Sequence, residues 1–160
     1  MGNLCCASRK LKHLEKTTDF SFNGVRRLAK VVDVYDGDTV RVRFRWGAEY
    51  PQFSVRLLGI DAPEMKPKHT DNGITRTPSD LGREKAEAAK SRDALRDRIG
   101  GKIVNVLFSK NDKYGRPLAT IWDKNVGTLL VENSVNRWML EHGAVEYYGG
   151  TKTGFSTAKK

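Results

Sequence analysis

The stretch Asp36-Gly37-Asp38-Thr39-Val40-Arg41-Val42-Arg43-Phe44-Arg45-Trp46 decides how this chain is read. From Thr39 onward apolar and basic residues alternate without a break. Val40, Val42, Phe44 and Trp46 belong to one face, and Arg41, Arg43 and Arg45 to the other. A period of two predicts a half-buried strand, here with a wet, basic outer face. Asp36-Gly37-Asp38 is a tight-turn signal, so an earlier strand over about Leu28 to Tyr35 should pair with it.

Further along, Gln52 to Ile60 reads as a third strand, with Phe53, Val55 and Leu57 on one side and Arg56 and Leu58 on the other. Residues 61–81 are rich in Pro, Thr, Asp and Gly and read as one long loop, a length that in a small domain often carries function. Leu81 to Ile99 reads as a helix. Ala88, Leu95 and Ile99 recur at helical spacing, and Gly100-Gly101 stops it. Ile103 to Phe108 is a fourth strand, and Pro117 to Trp122 a fifth, entered through a turn at Asp112 to Gly115. Thr128 to His142 is expected to be a second helix, with Leu129, Val135, Trp138 and Met139 inward. Five short strands with a helix after the third predict an α+β, mainly β fold: a closed five-stranded Greek-key barrel of the OB type with two or three packed helices. The expected organisation is a flexible basic segment over 1–24, a domain over 25–148 and a basic tail over 149–160.

A chain of 160 residues has room for one ordinary domain, and 38% hydrophobic residues supply one core, which excludes wholesale disorder. No apolar run approaches the roughly 18 residues of a membrane span. Met1 to Leu14 has no continuous apolar stretch of the kind a secretory signal needs. The two cysteines, Cys5 and Cys6, are adjacent and cannot staple a fold, so a reducing interior is the natural setting. The formal charge is +10, but most of it sits at the ends. Residues 1–30 carry +5, residues 151–160 carry +3, and the 120 residues between them only +2. Such a distribution favours an anionic surface near the termini over a nucleic-acid footprint on the folded body.

Met1-Gly2-Asn3-Leu4-Cys5-Cys6 fits a lipid anchor. Removal of Met1 exposes Gly2 for myristoylation, although Cys6 stands where the pattern favours Ser or Thr. A single myristoyl chain binds membranes only marginally, and palmitate on Cys5 or Cys6 would supply the second signal. Arg9, Lys10 and Lys12 add attraction to an anionic leaflet. The expected location is therefore the cytoplasmic face of a membrane, the plasma membrane first, with a soluble cytoplasmic protein as the alternative.

Chemistry-bearing residues cluster at predicted strand ends and turns. Asp38 opens the second strand, Asp61-Ala62-Pro63-Glu64 follows the third, Arg56 lies within the third, and Arg116 closes the turn from Asp112. Singly, each reads as a turn residue or a surface charge. Jointly they offer hard oxygen ligands for Ca²⁺ or Mg²⁺, a carboxylate to deprotonate a water, and two arginines to hold phosphate oxygens. That set matches the needs of phosphodiester hydrolysis.

Asp36-Gly37-Asp38-Thr39, Val55-Arg56-Leu57-Leu58-Gly59-Ile60-Asp61-Ala62-Pro63-Glu64 and Asp112-Lys113-Tyr114-Gly115-Arg116 together resemble the three signature blocks of the staphylococcal nuclease-like family, over roughly residues 28–148. The resemblance implies an OB-fold nuclease that depends on one Ca²⁺ ion and cuts DNA and RNA with little sequence preference. It makes Asp38, Asp61 and the backbone carbonyl of Ala62 the calcium ligands, Glu64 the general base, and Arg56 and Arg116 the phosphate clamp. Lys113 and Tyr114 match residues lining the nucleotide pocket, and Tyr147 or Tyr148 a pocket tyrosine. Two departures stand out. The loop from Met65 to Asp80 is longer than in the bacterial prototype, and the residues after Gly149 lack the helical period of its final helix. Two rival readings are a binding-only OB module tethered to a membrane and a membrane-bound electrostatic adaptor. A monomer is expected, with no obligate protein partner.

Overall fold

The computed structural model describes residues 21–67, 69–71, 74–148 and 151–152; side chains are described for fewer of them. Gly2, Cys5 and Cys6 lie outside these residues, as do the side chains of Tyr147 and Tyr148.

Alternation builds the barrel wall. Strands β1 (Arg26–Val34), β2 (Thr39–Phe44) and β3 (Gln52–Leu57) form an antiparallel meander. Two further long strands, β7 (Ile103–Asn111) and β8 (Pro117–Asp123), pair with each other and close the barrel in the order β1-β2-β3-β8-β7. The β3–β8 contact is the parallel one, with Arg56 opposite Leu118. Val31, Val40, Val42, Phe44, Val55, Leu57, Val104, Val106, Phe108 and Ile121 fill the interior with side chains at most 1% exposed.

The third strand differs from the sequence expectation. It stops at Leu57, and a separate two-residue strand β4 (Ile60–Asp61) follows. Gly59, at φ +80°, makes the break, because that conformation is strained for residues with a Cβ. The loop expected over 61–81 is also partly ordered. It contains a small hairpin, β5 (Thr70–Asp71) with β6 (Ile74–Thr75), and gives way early to helix α1 (Pro78–Ile99). That start is set by a capping box: Thr77 Oγ1 accepts from the Asp80 amide, the Asp80 carboxylate accepts from the Thr77 amide, and Pro78 opens the helix.

The second helix is shorter than the pattern suggests. Residues Val131–Asn133 form a single 3-10 turn, and α2 runs over Val135–Glu141 behind the N-cap Ser134, whose Oγ accepts from the Arg137 amide. Val135 and Met139 are buried as expected, Trp138 packs against the core, and Leu129 is half-buried before the helix. Strand β9 (Val145–Tyr148) joins β4 to β10 (Thr151–Lys152), so ordered structure continues past residue 148.

Phe22 lies upstream of the boundary expected at residue 25, yet it is buried. Its ring meets Phe44, Trp46, Phe53 and Phe108 at centroid distances of 5.0 to 5.7 Å and plugs one end of the barrel. Among the described residues, no helix is long and apolar enough to cross a membrane.

Candidate active site

Three strand ends meet where β2 begins. Thr39 pairs with Arg56, and the Leu57 amide donates to the Asp38 carbonyl at 2.7 Å, so the register of β2 on β3 fixes Asp38 beside Arg56. Arg56 points out of the barrel because its neighbours Val55 and Leu57 point in. Gly59 turns the chain, and Asp61 comes back to the same guanidinium. Arg56 Nη2 lies 2.8 Å from Asp38 Oδ2 and also bonds Asp61 Oδ1. All three side chains are largely removed from water, at 19%, 8% and 13% exposure.

The Asp36–Asp38 turn is packed from outside by helix α1. A Cβ on Gly37 would fall 1.9 Å from Ser91 Oγ and 2.8 Å from the Ala62 Cβ, so only glycine fits. Asp36 is buried as well, and its Oδ1 accepts from the Asp38 amide at 3.2 Å. Thr39 Oγ1 donates to Asp38 Oδ1 at 2.7 Å. Burial, and then the Asp36 carboxylate beside it, push the Asp38 carboxyl up to about 8 despite the opposing pull of Arg56. Three acids, Asp36, Asp38 and Asp61, crowd one guanidinium, so Asp38 gives up its proton readily only when further positive charge joins the cluster.

Asn136 supports this arrangement from α2. Its amide nitrogen donates to the carbonyls of Leu58 and Ala119 at 2.9 and 3.0 Å, and its oxygen accepts from the Ile121 amide at 3.0 Å. The β3–β4 joint is thereby tied to β8. Neither Asn136 nor Ser91 stood out in the sequence. The available signal was a polar residue in an otherwise apolar helix stripe, next to Val135 in one case and between Ala88 and Leu95 in the other.

Arg116 is held differently. Asp112 Oδ1 accepts from the amides of Tyr114 and Arg116 at 2.8 and 2.9 Å, and Oδ2 accepts from Arg116 Nε at 2.7 Å. Burial pushes the Asp112 carboxyl up, but these bonds outweigh it and hold it below its ordinary value. Arg116 lies in the turn just before β8 and precedes by two residues Leu118, the register partner of Arg56. Lys113 and Arg116 both approach the ring of Tyr114, at 5.0 and 5.6 Å, and that ring is 70% exposed.

Glu64 stands exposed beyond buried Ala62 and Pro63. Tyr147 and Tyr148 are placed by backbone alone, in β9 opposite Lys152 and Thr151, while Glu146 and Val145 before them pair with Ile60 and Asp61. Among the described residues, no group of three or more Asp, Glu, His or Cys side chains is arranged to hold a metal ion.

Residues 54–159 match the family described as staphylococcal nuclease homologue. The chain belongs to the staphylococcal nuclease family. Arg56, Asp61, Glu64 and Arg116 fall inside the matched range, and Asp38 lies upstream of it. An "Uncharacterized endonuclease" of Escherichia coli O157:H7 is 31% identical over 119 residues, 74% of this chain and 60% of that protein. An uncharacterized protein of Methanocaldococcus jannaschii is 32% identical over 127 residues, 74% of this chain and 58% of that protein. The chain thus spans about three fifths of the length of these relatives.

Proposed function

We propose that the protein is a calcium-dependent nuclease that hydrolyses phosphodiester bonds of DNA and RNA with low sequence specificity. The observation that carries this reading is the meeting of Asp38 from the turn before β2, Arg56 from β3 and Asp61 from β4 at one largely buried guanidinium, in a member of the staphylococcal nuclease family. The donor set fits a hard cation: Asp38, Asp61 and the Ala62 carbonyl would hold one Ca²⁺ ion. When bound, the ion supplies charge neutralisation and polarisation of a phosphate oxygen.

The chain's own residues do the rest. Glu64, exposed and hydrated, takes the proton of the attacking water as its oxygen bonds to phosphorus and the phosphorus–oxygen bond to the leaving nucleoside breaks. Arg56 and Arg116 bind the non-bridging oxygens and offset the charge that grows on them. Lys113 and Tyr114 receive the nucleotide, with Tyr147 and Tyr148 as further pocket residues. The protein acts as a monomer, held by acylation of Gly2 and of Cys5 or Cys6 at the cytoplasmic face of a plasma membrane. Flotation with liposomes checks that attachment, and a protein that is acylated yet stays soluble would remove it.

The direct test incubates single-stranded DNA and, separately, RNA with the protein, in Ca²⁺ and in chelator, beside a Glu64→Gln variant. Cleavage that needs calcium and falls by roughly a hundredfold or more in the variant is the expected result. A folded protein that binds both substrates and leaves them intact would favour the binding-only OB module instead.

A further inference from the structure

The proposed mechanism uses one end of β2 and leaves its arginines unexplained. Val40, Val42 and Phe44 are buried, so Arg41 and Arg43, and Arg45 just past the strand, stand on the outer face and are exposed. The row starts at the site. Thr39 pairs with Arg56, Arg41 then lies opposite Ser54, and Arg43 opposite Gln52. Outward residues of an extended strand recur about every 7 Å, so three guanidinium groups run in line away from the candidate active site. Arg43 Nε donates to Gln52 Oε1 at 3.3 Å and Arg45 Nε to the Gly47 carbonyl at 3.1 Å, which steadies both side chains while using one of five donors each.

Other groups extend the row. Lys30 on β1 is exposed and is the register partner of Arg43. At the far end, Tyr50 in the β2–β3 connection is exposed, whereas Trp46 packs edge-on against Phe22 with the Arg27 guanidinium 5.5 Å from its ring centroid. Two acids border the row: Asp33, 3.3 Å from Arg41, and Glu49, exposed in the connection.

We propose that Arg41, Arg43 and Arg45 form a phosphate track that binds the single-stranded nucleic acid running on from the scissile bond, with Tyr50 as a stacking platform at its far end. The proposal rests on the nuclease reading of the site. A line of cations ending in an exposed ring suits a polynucleotide, whose backbone needs evenly spaced charge and whose bases stack on aromatic faces. An anionic membrane would instead favour cations interleaved with aliphatic side chains. Along β2 and just past it, the outward positions Arg41, Arg43 and Arg45 follow one another with no aliphatic residue between them; exposed Leu28 and Val32 flank Lys30 on β1, and Ile103 lies opposite Lys30 on β7.

The test compares the full chain with an Arg41→Gln/Arg43→Gln/Arg45→Gln triple variant. Binding of a fluorescent 20-nucleotide single strand is measured in chelator across a salt series, so that no cleavage intervenes. Three lost phosphate contacts should make the slope of log affinity against log salt shallower by about 2, and weaken binding at low salt by roughly tenfold or more. The KM for long single strands should rise by a similar factor, while cleavage of a dinucleotide, too short to reach the track, stays unchanged. A control triple, Arg83→Gln/Lys85→Gln/Lys90→Gln, removes the same charge from exposed positions of α1 and should leave the slope as it is. Asp33→Asn should tighten strand binding by roughly two- to threefold by releasing Arg41, a gain that a damaged fold cannot produce.

An unchanged slope in a folded β2 variant would overturn the track. So would an equal loss from the α1 control, or a loss confined to phosphatidylserine vesicles, which would make the face a lipid surface. If the wild-type protein cleaves no substrate, the nuclease reading fails, and the salt slope still decides whether the track binds strands.

Discussion

Arg56 in β3 and Arg116 in the turn that leads into the neighbouring β8 are held in opposite ways. Arg56 depends on residues distant along the chain: Asp38 across the β2–β3 register, Asp61 after a glycine break, and Ser91 and Ala62 packed against the Asp36–Asp38 turn. Arg116 depends on Asp112, four residues earlier, and on the Tyr114 ring, all within a single turn. The first arrangement exists only when the barrel is closed. The second is written into five consecutive residues. The difference teaches that one site can combine a fragile half, which collects charge, with a robust half, which presents a single cation.

Gly37→Ala should have the largest effect. The new Cβ meets Ser91 and Ala62 with no room to move, at a cost of about 3 kcal/mol, which lowers Tm by roughly 6–12 °C. Adding Ser91→Ala removes the atom of closest approach and should recover part of the loss. Thermal unfolding checks both. A wild-type Tm in Gly37→Ala would mean that the turn is loose and that Asp38 is not fixed by packing.

Arg56→Gln and Arg116→Gln sharpen the contrast. Losing Arg56 strands two largely buried carboxylates without a countercharge, worth about 2–4 kcal/mol in denaturant unfolding. Losing Arg116 leaves Asp112 bonded to two backbone amides, and less than about 1 kcal/mol is expected. Equal losses would break the distinction.

This division also explains what the sequence disclosed. The Asp112–Arg116 turn, the alternation of β2 and the apolar positions of β1, β7 and β8 are local patterns, and they were legible. The closed barrel followed from the element order. The exchange between Arg56 and the two acids was legible only as a collection of residue types, because a sequence does not state register. Asn136 and Ser91 were missed for a related reason: their partners lie across the fold, on Leu58, Ala119 and Ile121 in one case and against Gly37 in the other. Phe22 gives no periodic signal, because a lone aromatic has no period. The second helix is shorter than its apolar pattern because Ser134 caps it, a signal that is local to the sequence.

The smallest expected effect concerns pH. The folded protein holds the Asp112 carboxyl below its ordinary value, so the unfolded chain binds the proton first as pH falls. This carboxylate's contribution is therefore fully present above the ordinary carboxylate range near pH 4 and is lost as pH drops through the folded value. Stability should fall slightly less between pH 5 and pH 3 in Asp112→Asn than in the wild type. A steeper fall in the variant would reverse the sign and contradict the bonding described for the turn.

On the proposed function, the long-range half collects the cation while the local turn only aims Arg116. The calcium midpoint for cleavage of single-stranded DNA tests this directly, measured in the wild type, Asp61→Asn and Asp112→Asn. Asp61→Asn should move the midpoint to about tenfold higher calcium or beyond, because affinity for Ca²⁺ follows ligand charge. Asp112→Asn should leave the midpoint in place and lower the maximal rate by roughly ten- to hundredfold through a misplaced guanidinium. A calcium midpoint that shifts equally in both variants, or in neither, would contradict the account.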